Sequence, residues 1–437
     1  MPRGTISRRG FLSGSITALT IGAGLPDWFA RELLAADLDR EADGRKVFGP
    51  NDKIQIGAIG TGSRGVAVMN EANRRPGVEF VAVCDVDAAH RREAAEKSKV
   101  PGIAEIADYR ELLANPKIDA VTVVTPDHWH TLIAVAAIRA GKDVYCEKPM
   151  TLTIDEGKVF TRVANASDRI VQVGTQQRSD ARFRLACELV RNGRIGKVTR
   201  VETRIGENPE HKPFVPSPVP PGLDWNAWLG QTPEVPFIKE RCHYEFRWWY
   251  EYSGGKVTDW GAHHNDIAQW GLGRDDTGPV AIEATSSPVG TDPNAYNCPV
   301  DFTIKYTYAD GVELLCTAKG DNGVKFIGEA GWIFVDRSKI EASDPKLLTE
   351  PLAANATRLY ASDDHMANFI DSVRSRKPPI CDANIGHRSV SVCHLGNIAI
   401  RTGEKLRWDP KAERFDGSDK ANAMLSRPMR SPWVLEG

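Results

Sequence analysis

The stretch Ile54-Gln55-Ile56-Gly57-Ala58-Ile59-Gly60-Thr61-Gly62-Ser63-Arg64-Gly65 decides the architecture of this chain. Its first half is an apolar run of strand length, its second half is G-x-G-x-x-G, and residues 66–74 continue as a helix pattern. In that context Gly60 permits a tight turn, Gly62 lets the backbone approach a pyrophosphate, and Gly65 lets the helix pack closely. The helix N-terminus offers N–H groups and a partial positive charge to phosphates. Gly60, Thr61, Gly62, Ser63, Arg64 and Gly65 are therefore expected to line a bound dinucleotide. A second strand over 79–84 ends at Asp85, about twenty residues past the last glycine, where a carboxylate accepts hydrogen bonds from ribose hydroxyls. A carboxylate there repels a 2′-phosphate, so NAD is favoured over NADP, with Arg91 and Arg92 opposing that preference.

Outward from this unit the strand and helix patterns alternate. Helices are expected near 109–114, 131–140 and 154–166, with strands over 120–124, 143–146 and 170–173. Short apolar strands separated by helices define a parallel, doubly wound sheet over 53–174, a Rossmann domain in an α/β protein. Beyond it come a helix (182–192), a strand (198–205), a Pro- and Trp-rich stretch to Tyr252, and one helix from about 257 to 271. Strands over 302–308 and 312–319 flank Asp310-Gly311, a hairpin signal, and another pair flanks Glu329-Ala330-Gly331. With late helices over 364–374 and 387–401, residues 175–437 read as a C-terminal α+β substrate and oligomerisation domain: an open, largely antiparallel sheet with helices on one side.

The N-terminus carries Ser7-Arg8-Arg9-Gly10-Phe11-Leu12 before a weakly apolar run, 13–25, too short to remain as a membrane span. It resembles a twin-arginine export signal over 1–36, with small residues at Ala35-Ala36 near the expected cut and a linker over 37–52. The expectation is a periplasmic protein delivered by the twin-arginine machinery, with no stable membrane span. A formal net charge of -2 gives no electrostatic footprint for nucleic acid. Eight cysteines without a C-x-x-C pair read as buried thiols.

Two segments fall at C-terminal strand ends, the edge where such sheets bind ligands: Thr125-Pro126-Asp127-His128-Trp129-His130 and Glu147-Lys148-Pro149. The densest cluster is Gly254-Gly255-Lys256-Val257-Thr258-Asp259-Trp260-Gly261-Ala262-His263-His264-Asn265-Asp266. On one helix Asp259 and His263 would share a face. Adjacent histidines do not have the four-residue spacing of metal-binding helices, so proton transfer is expected there and no metal.

Together these motifs resemble the Gfo/Idh/MocA family of oxidoreductases, which includes glucose-fructose oxidoreductase and inositol dehydrogenase. The resemblance implies catalytic roles for three residues: Lys148 beside nicotinamide and substrate, Asp259 orienting substrate, His263 as acid/base. It also implies that Thr125, Pro126, His130 and Glu147 line the nicotinamide side, with Asp127 standing where Asn is common. A histidine with pKa near about 6.5 can withdraw a hydroxyl proton as hydride leaves, while a lysine cation stabilises the alkoxide. Substrate candidates are Gln177, Arg178, His243, Trp248 and His264, with the aromatic loop 206–252 suited to stacking on sugar faces or, alternatively, to packing. The reaction expected is oxidoreduction of a sugar, sugar derivative or cyclitol. Export implies tightly held, recycled NAD, because free cofactor is scarce outside the cytoplasm. The alternative is NAD-dependent glycoside cleavage by transient oxidation and elimination, outside the two-carboxylate scheme. A homodimer or homotetramer is expected.

Overall fold

The computed structural model describes residues 24–33 and 53–436. Strands β1 (Ile54–Ile59), β2 (Val78–Cys84), β3 (Ala104–Ile106), β4 (Ala120–Val123), β5 (Asp143–Cys146) and β6 (Val171–Val173) form one sheet in the order β3-β2-β1-β4-β5-β6. Every pairing in it is parallel. Helices α1 (Ser63–Asn73), α2 (Ala88–Ser98), α3 (Tyr109–Leu113), α4 (Asp127–Arg139) and α5 (Ile154–Asn165) connect the strands. β4, β5 and β6 are buried throughout, so they carry no exposed polar face, and the polar residues within them, Thr122, Asp143 and Gln172, are buried as well.

The second sheet holds nine strands: β7 (Val198–Arg204), β8 (Ala281–Ser286), β9 (Phe302–Thr307), β10 (Glu313–Thr317), β11 (Gly323–Gly328), β12 (Gly331–Val335), β13 (Ile340–Ala342), β14 (Leu406–Asp409) and β15 (Arg414–Asp416). Their order is β13-β12-β11-β7-β10-β9-β8-β14-β15, antiparallel except where β7 meets β10. The Asp310-Gly311 hairpin is present between β9 and β10, with Gly311 at φ +85. Side chains along β9 and β10 alternate between buried and partly exposed. The inner face packs on α6 (Ala181–Arg191) and on α8 (Lys256–Asp259) leading into α9 (Gly261–Leu272), and later helices, while the short α7 (Trp225–Leu229) belongs to a separate aromatic cluster.

Two packing relations were invisible in the sequence. After the short α10 (Lys346–Thr349), the chain returns to the first domain: α11 (His365–Ser375) lays Met366, Phe369, Ile370 and Val373 against the core formed by β1 and α1. α12 (Ala383–Thr402) then bridges both domains, before the short α13 (Asp419–Asn422). Second, the helical segment 27–33 is seated in the C-terminal domain. Leu25 and Phe29 are buried, the Arg184 guanidinium lies 4.9 Å from the Phe29 ring, and the Trp28 indole donates to the Leu348 carbonyl at 2.9 Å. Arg8, Arg9, Ala35 and Ala36 lie outside the described residues. All eight cysteines are buried and free. Among the described residues no helix is long and apolar enough to cross a membrane.

Candidate active site

The glycine-rich turn follows β1 as its sequence requires. Gly60 has φ +81, and a Cβ there would fall 2.5 Å from the Val124 carbonyl oxygen; one on Gly65 would fall 2.1 Å from that of Gly60. α1 starts at Ser63 with no side-chain cap and no acidic residue in its first turn, whereas α2, α3 and α6 are capped by Asp87, Asp108 and Asp180. Uncapped N–H groups at the end of a nucleotide fingerprint fit the pyrophosphate of NAD. Asp85 Oδ2 accepts from the Thr61 N–H at 2.7 Å and Oδ1 from the Asp87 N–H at 3.0 Å. Burial pushes its pKa up, but His90 and these backbone donors outweigh burial and hold it below the usual carboxylate range. Arg91 bonds back to the Asp85 carbonyl, which takes it away from a ribose phosphate.

His243, a sequence candidate for substrate contact, belongs to this adenosine end instead. Its ring lies 4.5 Å from that of His90, and its Nε2 is 3.3 Å from Asp87. Asp87, His90 and His243 bring potential ligand atoms within 4.8 Å of one another, an arrangement the sequence did not suggest.

At the other end, Thr125 and Pro126 close β4 and Asp127 opens α4. His130 braces the floor: Nε2 meets the Thr125 carbonyl at 2.8 Å and Nδ1 the Pro149 carbonyl at 2.7 Å. Asp127 is buried and accepts from the Ser253 hydroxyl; burial raises its pKa. Glu147 accepts from Arg64 at 2.8 Å, from Gln176 at 2.7 Å and from the Lys148 N–H at 3.0 Å. Arg64 also pairs with Glu71 at 3.0 Å, so it crosses the groove already anchored.

Lys148 Nζ donates to Asp259 twice, to Oδ1 at 2.8 Å and to the backbone carbonyl at 2.9 Å. The single helix expected over 257–271 is in fact two, α8 and α9, meeting at Trp260. The His263 N–H bonds to the Trp260 carbonyl, and this break in the ladder leaves the Asp259 carbonyl for the lysine. Burial pushes the Asp259 pKa up, yet Lys148 and Arg247, whose Nε is 3.5 Å away, bring it down to about 2. His263 is buried with no partner for Nδ1. Burial, followed by the charges of Lys148 and Arg337, holds its pKa well below the ordinary histidine value. It is neutral near pH 7 and able to take a proton.

Other substrate candidates are structural. His264 is wholly buried, bonded through Nε2 to Asn322 at 2.8 Å, and burial lowers its pKa to about 4. Arg178 is 1% exposed and forks onto Asp266 at 2.7 Å and Asp275 at 2.7 Å. Trp248 is buried, its indole donating to Glu245 at 2.8 Å. The aromatic loop packs on itself, with Trp225 and Trp228 stacked 4.8 Å apart and Trp249 fully buried, because clustered rings bury more area against each other than an open cleft provides. Gln177 does reach the site. With its amide turned to suit its neighbours it donates to the His263 carbonyl at 3.1 Å and accepts from Arg337 Nε at 3.2 Å. Arg337, on the turn between β12 and β13, was missed, since a polar turn carries no signal of what it faces across the fold.

A nucleotide fingerprint, a Lys–Asp pair and a neutral histidine on one strand edge define an NAD-dependent oxidoreductase. Residues 54–175 match the description "Oxidoreductase family, NAD-binding Rossmann fold" and residues 199–435 match "Oxidoreductase family, C-terminal alpha/beta domain"; the chain belongs to the Gfo/Idh/MocA family. It is 30% identical over 368 residues to myo-inositol 2-dehydrogenase of Thermotoga maritima, covering 81% of this chain and 97% of that one. It is 31% identical over 144 residues to the uncharacterized oxidoreductase YrbE of Bacillus subtilis, covering 33% of this chain and only 42% of that one. Among solved structures it is similar in fold to an aldose-aldose oxidoreductase of Caulobacter crescentus (20% identity, TM-score 0.63, 81% and 99% covered). The WlbA dehydrogenase of Bordetella pertussis, solved with NADH and UDP-GlcNAcA, is likewise similar (17% identity, TM-score 0.61, 82% and 99% covered).

Proposed function

We propose that this protein exchanges hydride between NAD and an alcohol carbon of a sugar, sugar derivative or cyclitol. The observation that carries this reading is Lys148 held by the Oδ1 and the backbone carbonyl of Asp259 beside a buried, neutral His263. NAD, when bound, supplies the redox chemistry; the protein supplies position and charge. His263 accepts the substrate hydroxyl proton, Lys148 stabilises the developing alkoxide, and Asp259 fixes the lysine. Replacing Lys148 with Ala should abolish cofactor reduction by a sugar and cyclitol panel while leaving the melting temperature near that of the parent. Retained activity would overturn the assignment.

Tight retention of NAD through turnover is supported by a strap from the second domain over the adenosine end. Leu223 pairs with Asp87 in an isolated bridge, the Ala88 N–H donates to the Gly222 carbonyl at 2.9 Å, and His243 reaches Asp87. Protein purified without added nucleotide is expected to carry NAD that does not exchange during turnover. Hydride passage from one sugar to another and glycoside cleavage are then separated by whether a glycoside panel yields free aglycone. For export, Arg8 and Arg9 remain the proposed signal. Removal at Ala35-Ala36 would strip Leu25 and Phe29 from the core, so we place any processing before Leu25. N-terminal sequencing of the periplasmic protein tests this, and a mature start after Phe29 would overturn it. We also infer a homodimer or homotetramer through the partly exposed face of the second sheet; a monomeric sedimentation profile would refute it.

A further inference from the structure

The substrate edge carries more positive than negative charge. Lys148, Arg247 and Arg337 converge on it, with Asp259 and the buried Asp127 as the carboxylates among them, since Glu147 is already matched by Arg64. Lys148 and Arg247 both face Asp259, leaving Arg337 as the cation without a carboxylate partner among the described residues. Its guanidinium lies over Trp260, 4.6 Å from the ring centre, immediately before the turn into α9 that bears His263. Gln177 takes its Nε, and no side chain among the described residues bonds to its two terminal nitrogens, which belong to an exposed residue. Arg337 is exposed on its turn, yet it is coupled electrostatically to Arg64, Asp180, Asp259 and Glu147 and to His263, so it borders the site; Asp180 itself is paired with Arg182 at 2.7 Å. An aromatic ring under the guanidinium and an amide on Nε fix the plane of the fork, the arrangement that suits a bidentate anion. A side chain that is merely solvated needs neither.

We propose that Arg337 recognises a negatively charged group on the substrate, a carboxylate or phosphate, so that the sugar acted on is an acidic one. This rests on the oxidoreductase reading above and specifies its substrate class. A guanidinium held a fixed distance from the base also sets which hydroxyl of the sugar meets His263, so it supplies regiochemistry along with affinity.

The test uses the full-length, NAD-loaded protein with D-glucuronate, D-galacturonate and glucose 6-phosphate against neutral D-glucose and D-galactose. The acidic sugars should show kcat/KM at least about tenfold above their neutral counterparts. Arg337→Gln should raise KM for the acidic sugars by about tenfold or more beyond whatever change acidic and neutral sugars share through His263. Arg337→Lys should recover part of the loss. Preference for the phosphate over the uronates supports the anion site and assigns the phosphate. Equal handling of acidic and neutral sugars, or equal effects of Arg337→Gln on both, overturns the proposal. Binding to the NADH-loaded protein, read by nicotinamide fluorescence, separates the two readings. Acidic sugars that bind through Arg337 without turnover break the oxidoreductase assignment alone, whereas oxidation of neutral sugars with no binding of acidic ones breaks the anion proposal alone.

Discussion

The two ends of the cofactor groove are built on opposite principles. At the adenosine end, polar groups are answered by protein: Asp85 holds two backbone N–H groups and faces His90, Arg91 is tied to a carbonyl, and His243 is drawn in from the second domain. At the substrate end, groups are left unanswered: among the described residues His263 Nδ1 has no partner and Arg337 pairs with no carboxylate. An unsatisfied buried polar atom costs about 1–3 kcal/mol, a cost that persists in a folded protein where the atom has work to do on a ligand. The difference separates a part that recognises by being finished from a part that reacts by being incomplete.

The largest effect that would break this contrast is expected at Lys148. Lys148→Ala should lower kcat by roughly a thousandfold or more in steady-state assays, because it removes both the alkoxide-stabilising charge and the partner of Asp259. A loss below about tenfold would place the chemistry elsewhere. Next is Arg178→Ala, which leaves Asp266 buried without its cation and should destabilise the fold by about 3–5 kcal/mol in denaturant titrations. If it instead altered KM at unchanged stability, Arg178 would belong to the reactive end after all. At the adenosine end, Asp85→Asn should weaken NAD by about 1–3 kcal/mol and narrow the preference over NADP, measured by cofactor titration. The smallest expected effect is on pH dependence. Because the His263 pKa is depressed, the base stays deprotonated as pH falls from about 8 to about 6, so kcat/KM should be flat where an ordinary histidine would titrate. A fall centred near about 6.5 would show that the base is solvated. For stability the sign is also fixed: Asp259, depressed to about 2, contributes stability above its unfolded value of about 3.9 and loses it only as pH falls through about 2.

The pair His263 and His264 shows how far the sequence could be read. Adjacent in the chain and identical in type, they have opposite fates: one faces the cleft, while the other is locked between Asn322 and Gln177, residues distant from it in sequence. Helical geometry said they point apart, but not which one meets water and which one meets β10–β11. The helix break at Trp260 was hidden for a related reason. A continuous helical pattern runs through Asp259 and Gly261, and only the approach of Lys148 from β5 gives the freed carbonyl a partner. The aromatic loop reads as a sugar platform by composition and folds as a small core of its own.

What the sequence by itself determined were the features whose physics is local. The turn at Gly60 needs its positive φ wherever it sits, Asp85 must follow β2 at the reach of a ribose, and apolar periods of strand and helix length dictate alternating elements. The tertiary structure alone decided which charges remain unpaired. Arg178 and Arg337 are both arginines in polar stretches, and nothing within several residues of either distinguishes them. One is enclosed by carboxylates brought from α9 and the segment after it, and the other is laid over Trp260 and left open. Charge neutralisation acts through space over a few ångströms, and those neighbours come from chain segments that only the fold brings together.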